Sequence, residues 1–191
     1  HGDERLTNVL FSIDDNETPI SPDEFVANTV SFTQTADLFS WYDGRKLATH
    51  TKTYDFNHEG VRLVQSVIWK AEVNLSNAYL TMFPVKRKLN SGESISDVAW
   101  RWPGGENEDI YSESFTRLYT TDTDEVWIDG TESNFHAKIK VNSKPNLPGY
   151  RVFVSNAIEY NKVYFDMTRD YTTSISEIWE VDTSYQLTTG N

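Results

Sequence analysis

The sequence predicts an all-β protein: an antiparallel β-sandwich of jelly-roll or concanavalin-like form, with about ten strands and at most one or two short helices. Three observations carry that prediction. From Val61 to Val73 every second residue is Val61, Leu63, Gln65, Val67, Trp69, Ala71 and Val73, with Arg62, Val64, Ser66, Ile68, Lys70 and Glu72 between them. A two-residue period with one apolar register belongs to a strand that lays one face on a core. Aromatic residues make up 14% of the chain and Thr and Val are plentiful, a mixture that favours strands. Turn residues recur between short apolar runs, and no helical stretch could cover a parallel sheet. The 191 residues suit one domain, 1–191, with 1–45 readable as an N-terminal extension or a link to an upstream region.

Taken in order, Leu6 to Ile13 is apolar enough for a strand and stops at the polar turn Asp14-Asp15-Asn16-Glu17. Ser21-Pro22-Asp23-Glu24 has the cap, first-turn proline and acids of a short helix. Val30 to Thr35 alternates again, and Tyr42-Asp43-Gly44-Arg45 makes a turn. Leu47 to Phe56 is a polar strand with Thr49, Thr51 and Thr53 on one side and His50, Lys52 and Tyr54 on the other, the latter set read as outward. Asn57-His58-Glu59-Gly60 joins it to the Val61 strand as a hairpin loop in which Gly60 is free to take positive φ. In Ala78 to Val85 both registers are apolar, which predicts cover on both faces, and Pro84 belongs at an edge or a bulge because it cannot donate to a ladder. Further strands follow at Tyr111–Thr120, around Val126 and Ile128, at Phe135–Val141, Tyr150–Val154 and Lys162–Met167, and at Ile175–Val181.

Charge and composition exclude several classes of function. A net charge of −12 disfavours nucleic acid and anionic lipid as general partners, and no apolar run approaches the ~18 residues of a spanning helix. There is no Cys, hence no disulfide and no thiolate metal site. The four His give no metal-binding spacing. Calcium is the one cofactor that the acidic loops Glu106/Glu108/Asp109 and Asp122/Asp124/Glu125 leave open, although their spacing fits no EF-hand.

Sugar rings stack an apolar C–H face on indole while guanidinium and carboxylate groups bind their hydroxyls. By that chemistry Trp100, Arg101 and Trp102, followed by Pro103-Gly104-Gly105 and Glu106, form a candidate carbohydrate site, and Trp41-Tyr42-Asp43 is a second of the same kind. The structural alternative is that the paired indoles point into the core. No catalytic residue is assigned, and three functions stay open. They are a non-enzymatic carbohydrate-recognition domain, a sandwich-fold lyase or glycoside hydrolase using His50, Tyr54 or the Glu106–Asp109 acids, and a structural trimerisation module.

His50 and Tyr54 before a loop, the long alternating strand to Trp69, and Ala78-Tyr79-Leu80-Thr81-Met82-Phe83-Pro84-Val85-Lys86-Arg87 follow one another in an order that resembles the distal β-sandwich domain of bacteriophage tail-fibre and receptor-binding appendage proteins. The resemblance covers about residues 45 to 90, with an echo at Asn161–Phe165 and Ile178–Val181. It implies a homotrimeric module at the virion surface, or otherwise outside the cell, that attaches to bacterial surface polysaccharide. No catalytic motif of that group is carried over.

Overall fold

The computed structural model describes residues 3–19, 24–86, 98–103, 108–109, 116–120, 123–130, 135–156 and 160–189. Every element among them is a strand: β1 (Asp3–Ile13), β2 (Asn16–Glu17), β3 (Val30–Phe39), β4 (Lys46–Asn57), β5 (Gly60–Trp69), β6 (Asn74–Lys86), β7 (Val98–Arg101), β8 (Glu108–Asp109), β9 (Thr116–Thr120), β10 (Glu125–Gly130), β11 (Phe135–Ser143), β12 (Arg151–Asn156), β13 (Tyr160–Thr172) and β14 (Ile178–Thr189). They form two antiparallel sheets of unequal width. The large one has ten strands in the order β2-β1-β3-β4-β5-β14-β11-β10-β7-β8, and the small one has four, β6-β13-β12-β9. The predicted β-sandwich is therefore the observed fold, and β1 and β3 place the N-terminal segment inside the large sheet, next to β4.

The hairpin β4–β5 closes as its loop residues require. The Asn57 side-chain oxygen accepts from the Glu59 and Gly60 amides, and Gly60 has φ +139°. A Cβ there would lie 2.1 Å from the Tyr185 carbonyl oxygen, so no other residue fits. The strand beyond it keeps the alternation down to Trp69, where the chain leaves the sheet, four residues before the predicted end at Val73. Leu63, Gln65, Val67 and Trp69 are buried as the register demands.

Two apolar clusters hold the layers together. The first takes Val126, Ile128, Ala137, Ile139, Val141 and Val181 from the large sheet and Val85, Val152, Val154, Val163, Phe165 and Met167 from the small one. At ~25 cal/mol per Å² of apolar surface removed from water, this interdigitation is the main term that favours the sandwich. The second cluster joins Ala48, Val67, Trp69 and Trp179, the two indoles meeting edge to face with centroids 5.0 Å apart. On the outer face of the large sheet, β3 and β4 are laced by hydroxyls instead: Thr33 to Thr53 at 2.9 Å, Thr35 to Thr51 at 3.2 Å, and Thr49 to the Asp37 carboxylate at 3.0 Å.

Two local expectations are corrected. Glu24 to Thr29 is not helical, while Ser21 to Asp23 lie outside the described residues. In the single chain β6 is not covered on both faces, because Met82, Pro84 and Lys86 on one face stand exposed while Thr81 and Val85 on the other are buried. Pro84 lies on an edge strand, where its missing N–H places it. β6 also carries a bulge. Thr81 pairs with Phe165 and Tyr79 with Asp166, so Leu80 is an extra residue without a partner in the ladder.

Candidate functional site

The small sheet covers only part of the large one, and where its edge strand β6 passes over β4, β5 and β14 the layers part into a cleft of about 470 Å³. Pairing in the β4–β5 hairpin sets Tyr54 opposite Leu63, Lys52 opposite Gln65 and His50 opposite Val67. Paired residues share a face, so the inward side of β5 draws His50, Lys52 and Tyr54 inward as well. The reading of His50 and Tyr54 as an outward surface pair is thus overturned: His50 is 7% exposed and Tyr54 is half-buried. The signal was present in the sequence. Once Asn57–Gly60 is taken as the hairpin loop and Leu63 as inward, the register fixes the direction of Tyr54 and His50.

The floor of the cleft is polar and satisfied. His50 Nε2 meets Gln65 Oε1 at 3.1 Å, and the Gln65 amide nitrogen donates to the Leu80 carbonyl, which the bulge in β6 has released from the ladder. With the amide nitrogen committed to a carbonyl, Oε1 faces the imidazole, and Nε2 is the protonated ring nitrogen. Burial pushes the His50 pKa down to about 4, the Lys52 ammonium adds to the shift, and the Gln65 bond opposes it. His50 is therefore a neutral donor and acceptor at physiological pH and a weak base.

The walls are aromatic. Tyr54 and Phe56 stack with centroids 6.4 Å apart on one side, and Phe83 and Tyr185 stack at 5.9 Å on the other. Burial raises the Tyr185 phenol well above its ordinary range, so it stays protonated. Met82 and Leu187 stand exposed at the rim, and Lys52 is held there by Glu4 at 3.0 Å. None of the described residues lining the cleft is an Asp or a Glu. The arrangement can stack flat apolar faces and exchange neutral hydrogen bonds.

The residues singled out from sequence lie elsewhere and apart. Trp41 and Tyr42 crown the turn between β3 and β4, 83% and 95% exposed. That turn is built: the Ser40 hydroxyl accepts from the Tyr42 and Asp43 amides, and Gly44 takes φ +69°. Arg101 ends β7 at the far side of the sheet, ion-paired through Nε to Asp129 at 2.9 Å, and Trp102 beside it is half-buried. Trp100 pairs with Ile128 in the ladder, while its side chain and the whole of Glu106 lie outside the described residues. Five strand steps separate β4 from β7, roughly 24 Å at ~4.8 Å per step, so Trp41 and Arg101 do not share one site. Of the acids considered for calcium or catalysis, Asp124 is paired with Lys144 at 2.5 Å and Glu125 with Lys138 at 3.0 Å. Asp122 and the side chains of Glu108 and Asp109 lie outside the described residues, and no metal-binding group of three acids or histidines occurs among the described ones.

No family model matches this chain, and neither does any curated protein. Among solved structures, it is similar in strand arrangement to a galactose mutarotase-like protein from Clostridium acetobutylicum, with a TM-score of 0.48, 12% sequence identity, and coverage of 98% of this chain and 79% of that one.

Proposed function

We propose that the chain is a non-enzymatic carbohydrate-recognition module and that the cleft between β4 and β6 receives a neutral sugar unit. The observation that supports this most is the composition of the cleft: paired aromatic walls over a floor of neutral donors and acceptors, His50 and Gln65. Aromatic walls suit the C–H faces of a pyranose, and a satisfied polar floor can trade its bonds for hydroxyls without leaving a buried group unpaired. Tyr54→Ala should weaken binding on a glycan array or in titration calorimetry at least about tenfold while the protein stays folded. Unchanged binding by Tyr54→Ala and Phe56→Ala together would remove the cleft from consideration.

The wider reading follows the resemblance over residues 45 to 90. As a homotrimer on a bacteriophage tail, the module would attach to surface polysaccharide through several weak sites, and effective concentration would supply the avidity. Sedimentation of the protein, and adsorption of it to intact bacteria, test that placement. Trp41 and Tyr42, the most exposed aromatic residues of the turn, would add a peripheral contact, which Trp41→Ala should weaken without touching the cleft.

A second reading, a polysaccharide-degrading enzyme, draws support from His50 and Tyr54 lining the same cleft. The low basicity of His50 weighs against it. Incubation with host wall or capsule glycans separates the two, since unsaturated or reducing-end products that vanish with His50→Ala would favour the enzyme.

A further inference from the structure

We propose a second binding surface, on the opposite face of the large sheet where β7, β10 and β11 run side by side, that takes an acidic glycan through its carboxylate or phosphodiester groups. Register sets Arg101 beside Trp127 and Trp127 beside Lys138, one row across three strands at ~4.8 Å spacing. The next row holds Asp129 beside His136, and the preceding one Glu125 beside Lys140. Among the described side chains of these strands, Arg101, Lys138 and Lys140, with the His136 imidazole beside them, thus face two carboxylates, Glu125 and Asp129, on a chain whose net charge is −12.

Asp129 is the brace of this surface. Its Oδ2 takes Arg101 Nε at 2.9 Å and its Oδ1 meets His136 Nδ1 at 2.6 Å. The guanidinium also lies 5.3 Å from the centre of the Trp127 ring, held by the carboxylate on one side and the indole on the other. A guanidinium fixed in this way loses little freedom when it pairs with an anion, and its planar fork matches carboxylate and phosphate oxygens. With Nδ1 engaged, the imidazole turns its Nε2 edge away from Asp129, and the Arg101 and His136 side chains are each 46% exposed. Lys138 and Lys140 lie 3.0 and 3.9 Å from Glu125 and complete the cationic border. Gln186 and Thr188 on β14, exposed beside Lys138 and His136, can meet sugar hydroxyls. A net charge of −12 repels an acidic chain in general, so the cations of this face are what would select both the ligand and its place. The surface does not depend on the cleft, from which the thickness of the sheet separates it.

The test is titration calorimetry of the whole chain with a galacturonate oligomer, a phosphodiester-linked mannose oligomer, inorganic phosphate and a neutral glucose oligomer, at low and at high salt. At least one acidic oligomer should bind, more weakly as salt rises, and Arg101→Gln should cost about tenfold or more in affinity. Lys138→Gln, read alongside melting temperature, supplies a second variant should Arg101→Gln fold poorly, and Tyr54→Ala should leave this binding unchanged. The proposal fails if neither acidic oligomer binds, if the neutral oligomer binds this face equally well, or if both charge variants keep full affinity. Inorganic phosphate binding as tightly as the oligomers would reduce the surface to a simple ion site and overturn the glycan assignment.

Discussion

The two halves of the large sheet are made from similar alternating strands but meet different fates. Under the small sheet, Val126, Ile128, Ile139 and Val181 are sealed to 1% exposure or less. On the wing formed by β1, β3 and β4, the same inward face carries Phe11, Phe32 and Tyr54, all half-buried, and Phe25 folds back, edge-on to Phe11 with centroids 5.9 Å apart. The covered half spends its apolar surface on the interior. The wing leaves part of it in reach of solvent, and the cleft lies where one regime changes into the other. The sealed core and the open cleft are thus drawn from one face of one sheet, and what divides them is the width of the layer above.

That contrast can be broken most forcefully at Trp179, 1% exposed and packed on Trp69. Trp179→Ala should cost about 3–5 kcal/mol in urea unfolding, against about 1 kcal/mol for Tyr54→Ala on the wing. Equal losses would mean that the wing is as structural as the covered core. The boundary itself is sensitive to pH. His50 is held at about 4 in the folded protein against an ordinary 6.5, so the unfolded chain takes up a proton in that window and the folded chain does not. Stability should be full above pH 6.5 and fall as the pH drops towards 4, by up to ~3 kcal/mol from this residue. His50→Gln should flatten that slope relative to the parent chain, and identical slopes would show that the imidazole is not buried at the seam.

A finer probe lies beneath the covered half, where the Thr81 and Thr183 hydroxyls meet at 2.7 Å with no exposure. Thr81→Val alone strands one buried hydroxyl and should cost about 1–3 kcal/mol, whereas the double change Thr81→Val with Thr183→Val should recover most of it. The smallest effect belongs to the rim: Trp41→Ala, at a residue 83% exposed, should move stability by no more than about 0.5 kcal/mol.

How much of this was legible beforehand depends on the period of each segment. The strands around Val61–Trp69 and Phe135–Val141 announce themselves because polar and apolar residues alternate strictly and one face must be buried. β4 does not, since His50, Lys52 and Tyr54 look as polar as Thr49, Thr51 and Thr53, and only its partner strand decides which set turns inward. The threonines went outward because β3 offers them hydroxyls and a carboxylate in register. The cleft was illegible for a different reason. It arises between strands far apart in the chain, β4 near the start and β14 at the end, and no local pattern encodes the width of the covering sheet. The paired indoles at Trp100 and Trp102 do not reveal the aromatic neighbour of Arg101, which is Trp127, on another strand.

The surplus residue at Leu80 turns the bottom of the cleft into a latch. Its carbonyl is gripped by an amide rooted in the opposite layer, so any guest that coaxes Gln65 to let go also loosens the seam along β6. A sugar that took this amide in the proposed cleft would undo one fastening of the narrow layer, and amide exchange at Thr81 would register the change.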